Sequence, residues 1–303
     1  QPVAAPEDLE QRELVAELAP LLAAASEPIV FLDLHSTSAA GAPFTCMADV
    51  LRNRRVAFAL PLPVLLGIEE ALDGTLMGFL TELGHVALAI EGGQSEDRET
   101  TERLEVSIWL ALVASGALPA SALPDLEPRR HRLAAAAAAL PAVVEVLHRH
   151  PVTPSDGFAM EPGHANFSPV TAGQVVARDR RGPVRAPESG LLLMPLYQVL
   201  GDDGFFLARR VSSFWLRLST LLRRLRCDRL LPLLPGVERD PARPEHLLVD
   251  RRVARFQTTN VLHLLGFRRV REGALTLVVS RRRPGHRGLA PLPEAFVGGR
   301  GAE

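Results

Sequence analysis

The chain has 303 residues, 47% of them hydrophobic, and a formal net charge of −1. This length allows at least one full hydrophobic core and favours two, while the near-neutral charge gives no electrostatic reason to expect a nucleic acid partner. All 34 basic residues are arginine, which excludes a Schiff-base lysine and a biotinyl- or lipoyl-lysine.

Cysteine usage and hydropathy indicate the compartment. Cys46 and Cys227 lie far apart in the sequence, which argues against a disulfide framework or a cysteine-rich zinc site and fits a reducing cytosol. No uncharged apolar run reaches the roughly 18 residues of a membrane span. The N-terminus lacks the basic-then-apolar pattern of a signal peptide. We therefore expect a cytoplasmic protein without a membrane span.

Predicted helices and strands alternate through the first half of the chain. Apolar periodicity and turn residues predict, in order, a helix at 7–25, a buried strand at 29–34, a polar loop at 36–46, a strand at 56–60, a helix at 64–83, a strand at 86–90, a helix at 99–115 and an alanine-rich helix at 129–140. Gly116 lies where a helix C-cap belongs. This alternation predicts a mixed α/β layer fold.

The character of the sequence changes near residue 143. Short apolar runs separated by glycine and proline continue to residue 211 and predict a small β domain. A leucine- and arginine-rich helix at 213–234 and a hairpin at 268–280 follow. We therefore divide the chain into an α/β domain (1–142), a β domain (143–211) and a C-terminal α+β extension (212–303) without a functional interpretation.

Two strand ends carry the groups with the clearest chemistry. The apolar run at 29–32 leads into Asp33 and His35, and the run at 86–90 leads into Glu91. Functional groups collect at the carboxyl ends of strands in open α/β sheets. A histidine with an acid two residues before it can ligate a metal, and a carboxylate beside a metal-bound water can act as a general base. The structural alternatives are a histidine that caps a strand and a glutamate in an ordinary turn.

Three other features have weaker functional interpretations. His148 and His150 have a spacing that can chelate zinc on a strand, although a solvated strand end explains them better. Tyr197 could donate to a substrate oxygen, or pack as an aromatic of the β domain. The basic amphipathic helix at 214–226 could bind a membrane surface, but packing on the core with its arginines outward is favoured.

Taken together, these segments resemble the succinylglutamate desuccinylase/aspartoacylase family, a branch of the zinc carboxypeptidase-like superfamily. The resemblance covers residues 7 to about 210 and rests on the order and spacing of several short motifs. The matching segments are Asp-Leu-His-Ser-Thr at 33–37, Ala-Ile-Glu-Gly-Gly-Gln at 89–94, His-Pro-Val at 150–152, Gly-Gln-Val at 173–175 and the stretch 184–190.

The resemblance implies a zinc carboxypeptidase-like mixed-sheet domain followed by a barrel-sandwich-like β domain. It gives His35 the role of a zinc (Zn2+) ligand and Glu91 that of the general base. The implied reaction is the hydrolysis of an amide, which removes an acyl group from an N-acyl amino acid or a similar small amine. The further residues that we expect to contact this small-molecule substrate are Ser36, Thr37, Gln94 and Tyr197. Whether the chain forms a homo-oligomer is left open.

The sequence also departs from the family pattern. The family takes its first two zinc ligands from an upstream His-x-x-Glu and binds the substrate carboxylate partly through an upstream Asp-Leu-Asn-Arg. Neither motif occurs here, and no histidine precedes His35. We expect that the chain lacks an N-terminal segment of a parent enzyme and is inactive as given. The alternative is a metal-free homologue whose site has decayed and which acts as a binding or regulatory module.

Overall fold

The computed structural model describes residues 6–72, 74–198, 201–241, 243, 246–250, 252–253, 262, 264–272 and 276–281. Its α-helices are α1 (Pro6–Ala24), α2 (Leu51–Ala57), α3 (Ile68–Ala71), α4 (Leu76–Leu83), α5 (Arg98–Ser115), α6 (Leu126–Ala136) and α7 (Ser213–Arg224). Short 3₁₀ helices lie at Ala120–Ala122, Pro154–Asp156 and Cys227–Leu233. The strands are β1 (Val30–Thr37), β2 (Phe44–Met47), β3 (Val64–Leu66), β4 (Val86–Gln94), β5 (Val143–Pro151), β6 (Ala159–Met160), β7 (Ser168–Val170), β8 (Val175–Asp179), β9 (Gly182–Arg185), β10 (Gly190–Leu193), β11 (Asp203–Arg210), β12 (Val237–Arg239), β13 (His246–Asp250), β14 (Phe267–Glu272) and β15 (Thr276–Arg281).

A large mixed sheet organises the fold. Its eight strands have the order β1-β4-β2-β3-β5-β11-β10-β7, so β1 is a terminal strand. β1 runs parallel to β4, and β2, β3 and β5 form parallel neighbours, whereas β2 is antiparallel to β4 and β11 is antiparallel to β5. This sheet, together with two smaller antiparallel sheets, confirms the predicted mixed α/β class.

Alternate side chains of the large sheet enter two separate cores, as a strand period of two requires. On one face, which we call the α5 face, Leu88 and Ile90 contact apolar side chains of α2, α5 and α6. On the other, the α4 face, Ala87 belongs to a core with side chains of α1, α3 and α4. Leu22 is the buried anchor of α1 on the α4 face, whereas Leu216 of α7 packs on the α5 face.

The β-rich segment continues the large sheet and does not stand beside it. β5 bonds to β3 on one side and to β11 on the other, so the sheet runs across the predicted boundary at residues 142 and 143. A three-stranded sheet of β6, β8 and β9 covers a core that includes Val176, Leu192 and Phe205. The predicted division into three domains stays a prediction.

A buried ionic cluster joins the C-terminal part to the α/β layers. The carboxylate of Asp49 accepts hydrogen bonds from Arg54 at 2.7 and 3.0 Å and from Arg223 of α7 at 2.7 Å. Arg54 also donates to the Thr220 hydroxyl at 2.8 Å, and Arg223 to the Leu264 carbonyl at 3.0 Å. Beyond α7, the sheet β12-β13-β15-β14 encloses its own small core.

Three of the predicted elements are wrong. Residues 56–60 form the buried end of α2 and the turn that follows, and the strand lies instead at β3, inside the segment predicted to be helical. The predicted loop at 36–46 contains the end of β1 and most of β2. A short apolar run has no periodicity that distinguishes a buried strand from a short buried helix, which explains these errors.

The orientation of α7 also differs from the expectation. Arg223 is buried and Phe214 and Trp215 are exposed, so the arginines do not all point outward. No helix among the described residues has the length and apolar character needed to cross a bilayer.

Candidate functional site

The carboxyl ends of β1 and β4 bring the two leading residues side by side. In the parallel register of these strands, His35 lies opposite Glu91 and Thr37 lies opposite Gln94. The register shifts between His35 and Thr37, which bends the end of β1. The sequence prediction that two neighbouring strands deliver an imidazole and a carboxylate to one edge agrees with this register.

Asp33 and His35 form a pair on one face of β1. The strand period of two directs both side chains to the same side, and His35 Nε2 lies 2.8 Å from Asp33 Oδ1. Burial lowers the pKa of His35, but the hydrogen bond and charge of Asp33, with the charge of Glu91, outweigh burial and leave that pKa raised. Asp33 therefore fixes the imidazole orientation and favours its protonated form.

Glu91 has the most perturbed acidity at this site. Burial raises its pKa to about 7, the charge of His35 opposes that rise, and the charge of Asp33 adds to it. Its Oε2 is buried and has no hydrogen-bond partner within the described part of the chain. A carboxyl group that exchanges its proton near neutral pH is suited to general acid–base chemistry.

Ser36 and Thr37 have protein partners for their hydroxyl groups. The Ser36 hydroxyl lies 2.9 Å from that of Ser95, whose backbone N–H donates to the Thr37 carbonyl at 3.0 Å. The Thr37 hydroxyl donates to the Ala39 carbonyl at 2.8 Å. These contacts shape the loop after β1, and the predicted role of both residues in substrate binding stays a prediction.

Asn166 is a connecting residue that the sequence interpretation missed. Its side chain is buried, donates to the Thr37 hydroxyl at 3.3 Å and accepts from the Met194 backbone N–H at 2.6 Å. Its backbone N–H donates to the Ala40 carbonyl at 2.9 Å. It thereby connects the loop after β1 to the β-rich segment. Its contacts with Thr37 and Ala40 span more than a hundred residues of sequence, so no local pattern predicts them.

The glycine pair after Glu91 serves helix packing. A Cβ atom on Gly92 would lie 2.7 Å from the Leu104 side chain and 2.9 Å from the Thr100 carbonyl. The glycines therefore allow the backbone of β4 to lie close to α5. The Gln94 carbonyl accepts from the Thr100 hydroxyl at 2.7 Å, while the substrate-binding role predicted for Gln94 stays a prediction.

Tyr197 holds a loop of the β-rich segment. Its hydroxyl donates to the Glu161 carbonyl at 2.9 Å and accepts from the His164 backbone N–H at 2.9 Å. No hydrogen bond among the described residues joins Tyr197 to His35 or Glu91, so its predicted contact with a substrate stays a prediction.

His148 and His150 belong to an aromatic group and not to the site at β1 and β4. His150 stacks on Phe205 with ring centroids 5.0 Å apart, and the two histidine rings are 6.3 Å apart. Burial is the first cause that lowers the pKa of each. Ring packing thus accounts for this half-buried pair, whereas the sequence interpretation favoured a solvated strand end.

The described residues do not complete a zinc site. Catalytic zinc takes three protein ligands and a water. In the part of the chain that the structure describes, no group of three or more histidine, cysteine, aspartate or glutamate side chains is arranged to hold a metal ion. The neighbouring side chains of His35, Asp33 and Glu91 are therefore not arranged to bind the zinc ion that the resemblance implies.

Comparison with known proteins gives structural neighbours only. No protein-family model and no curated protein matches the chain. Solved structures similar to it include a succinylglutamate desuccinylase from Silicibacter sp. TM1040, at 18% identity and a TM-score of 0.41, covering 62% of this chain and 59% of that chain. A succinylglutamate desuccinylase/aspartoacylase from Rhodobacter sphaeroides has 17% identity and a TM-score of 0.46, covering 70% and 66%. Succinylglutamate desuccinylase from Vibrio cholerae has 17% identity and a TM-score of 0.48, covering 70% and 63%.

These neighbours carry the name of the family that the sequence resembles. The chain spans less than two thirds of the length of each of the three. At such low identities and TM-scores, the function has to be argued from the chain's own residues.

Proposed function

We propose that this chain forms part of an amide hydrolase that removes an acyl group from an N-acyl amino acid or a similar small amine. The observation that carries the proposal is the register that sets His35 opposite Glu91, with the pKa of Glu91 raised to about 7. The zinc carboxypeptidase-like and barrel-sandwich-like assignments, a cytoplasmic location and a small acylated substrate belong to the same proposal.

Glu91 has the properties of a proton shuttle for this reaction. Hydrolysis of an amide needs a base that accepts a proton from the attacking water and then, as an acid, gives a proton to the leaving nitrogen. A carboxyl group with a pKa near 7 is present in both forms at neutral pH, so one residue serves both steps. His35, oriented by Asp33 at 2.8 Å, lies beside it.

The described residues do not by themselves fit a zinc ion. His35 is the expected ligand, with Asp33 as the residue that orients its ring. Because the described residues do not supply three ligands, we derive no step through the metal.

A decisive assay uses the full-length gene product and a panel of N-acetyl and N-succinyl amino acids. We expect hydrolysis of at least one substrate, and Glu91→Gln should lower turnover by at least about 10²-fold, the low end for a positioned acid–base group. Glu96→Gln, the same chemical change at an exposed residue, is the matched control. Wild-type turnover in Glu91→Gln would remove Glu91 from the mechanism.

The metal is tested separately by elemental analysis. We expect zinc near one per chain in the full-length product, lost in His35→Ala and kept in His131→Ala, which changes an exposed histidine of α6.

The alternative is a metal-free binding or regulatory module. The observation that favours it is the incomplete ligand set, together with the engagement of His35 Nε2 by Asp33. Absence of both zinc and hydrolysis in the full-length product would favour this alternative and contradict the hydrolase proposal.

A further inference from the structure

Helix α7 carries an apolar stripe on the side that faces solvent. Phe214, Leu218, Leu221 and Leu225 follow the spacing of four, three and four residues that aligns side chains on one helix face. Phe214 is 61% exposed and Leu225 is 65% exposed. The opposite side of the helix is the buried one, where Arg223 contacts Asp49. The buried side of α7 thus combines polar Ser219 and Arg223 with Leu216 and Leu222, while much of the apolar stripe stays exposed.

Two arginines lie beside this stripe and line a groove. Arg217 and Arg224 lie seven residues apart, so they project from the same side of α7. Both are exposed and have no ion-pair partner among the described residues. The groove has a volume of about 340 Å³ and is lined by Phe58, Leu216, Arg217, Thr220, Leu221 and Arg224. We call this surface the α7 groove; exposed apolar surface of this kind marks interaction sites.

Helix α1 presents the complementary pattern. Glu10, Leu14, Glu17 and Leu21 have the same spacing of four, three and four residues and share the outward face. Leu14 is 46% exposed and Leu21 is 59% exposed. Glu10 and Glu17 are seven residues apart, the separation of Arg217 and Arg224, and also lack ion-pair partners within the described part of the chain.

The charges of the two segments are opposite. Residues 6–24 contain five acidic residues and one arginine, whereas residues 213–229 contain five arginines and one aspartate. On α1, two glutamates alternate with two leucines along one exposed face, and on α7, two arginines lie beside the apolar stripe. Apolar contact combined with charges of opposite sign can set partner choice in helix pairs.

Helix α1 cannot reach the α7 groove of its own chain. α1 is anchored through Leu22 on the α4 face of the large sheet, and α7 packs through Leu216 on the α5 face. The sheet lies between them. The occupant with the right sequence is therefore α1 of a second copy.

We propose that the α7 groove of one copy binds helix α1 of another, with Glu10 and Glu17 facing Arg217 and Arg224. Because the two surfaces lie on opposite faces of the sheet, the contact is head-to-tail. Such a heterologous contact continues into a ring or an open filament and does not stop at a symmetric dimer. A net charge of −1 gives no general attraction to an anionic membrane, which makes a second copy the better-supported occupant.

The test is sedimentation velocity over a wide range of protein concentration. The wild-type chain should form species larger than dimers as its concentration rises, and salt should weaken them because exposed charges are screened. Arg217→Glu/Arg224→Glu and Glu10→Arg/Glu17→Arg should each associate at least about tenfold more weakly, since each places like charges together. Arg98→Glu/Arg180→Glu, with the same change in charge at exposed sites elsewhere, should associate like the wild type.

Mixing the two reversed variants makes the test specific. In the equimolar mixture, the acidic α1 of one variant meets the basic groove of the other, and the basic α1 meets the acidic groove, so association should return. A wild-type chain that stays monomeric throughout, or a mixture that stays as weakly associated as its components, would overturn the proposal. Binding of wild-type monomers to phosphatidylserine vesicles, lost in Arg217→Glu/Arg224→Glu, would likewise overturn it in favour of a membrane surface.

Discussion

Replacing Asp49 by alanine tests how firmly the C-terminal part is joined to the α/β layers. The Asp49 carboxylate accepts from Arg54 at 2.7 and 3.0 Å and from Arg223 at 2.7 Å, and all three residues are buried. Asp49→Ala leaves two guanidinium groups in the interior without their common counter-charge. Removing one partner of a buried ion pair costs about 3–5 kcal/mol, and we expect a loss of unfolding free energy in that range.

The assay is urea unfolding, followed by far-UV circular dichroism and by tryptophan fluorescence. Trp109 lies on α5 and Trp215 on α7, so the fluorescence reports on both parts that the cluster joins. Glu127→Ala is the matched control, because Glu127 makes an exposed ion pair with Arg130 at 3.5 Å. Pairs of that kind contribute about 0–1 kcal/mol.

A triple replacement separates loss of a contact from burial of an uncompensated charge. Asp49→Leu combined with Arg54→Met and Arg223→Met removes all three charges and keeps much of the side-chain volume. Such hydrophobic replacement of a buried ionic cluster is often close to neutral, so the triple variant should be more stable than Asp49→Ala. If Asp49→Ala lost less than about 1 kcal/mol of unfolding free energy, the cluster would not be a main contact between the C-terminal part and the α/β layers.

Three further changes have expected outcomes. Because burial raises the pKa of folded Glu91 from 4.5 to about 7, stability should fall as pH rises through that interval. Glu91→Gln should lessen this fall and gain about 3 kcal/mol at pH 8, while the raised pKa of His35 leaves part of the fall in place. Parallel pH profiles of the two proteins in urea unfolding would contradict this. Asn166→Ala should cost about 1–3 kcal/mol by leaving the Met194 N–H without its acceptor, and should speed amide exchange at Met194; unchanged exchange would count against the connection. Gly92→Ala should cost about 1–3 kcal/mol because its Cβ would lie 2.7 Å from Leu104; wild-type thermal stability would show that α5 moves aside.

Elements with local signals were predictable from the sequence. α5 begins after Asp97, whose side chain accepts from the Glu99 N–H at 3.0 Å, and it ends at Gly116 with a φ of 86°. Both features are caps that a sequence displays directly. The pairing of His35 with Glu91 could also be predicted from the sequence, because two buried runs that end in polar residues are typical of neighbouring parallel strands.

Features that depend on distant contacts were not predictable. The buried side of α7 includes a charged residue because Arg223 contacts Asp49, which lies 174 residues away in the sequence. A single sequence shows the amphipathic pattern of that helix but does not show which side of the helix will pack against the core. β3 escaped detection for a related reason: Val64–Leu66 is fully buried, and three consecutive apolar residues carry no periodicity.

The outer edge of β1 determines how other groups could reach the proposed site. Among the described strands, β1 lies at the end of the large sheet and pairs with β4 alone, and residues 33–36 are exposed. Behind Glu91, α5 lies close enough to exclude a Cβ atom at Gly92, and Asn166 connects the β-rich segment to the loop after β1. A substrate or further ligands of the proposed site would therefore have access along the exposed part of β1. Within the described part of the chain, the outer edge of β1 has no strand partner, and an unpaired edge of this kind can pair with another strand.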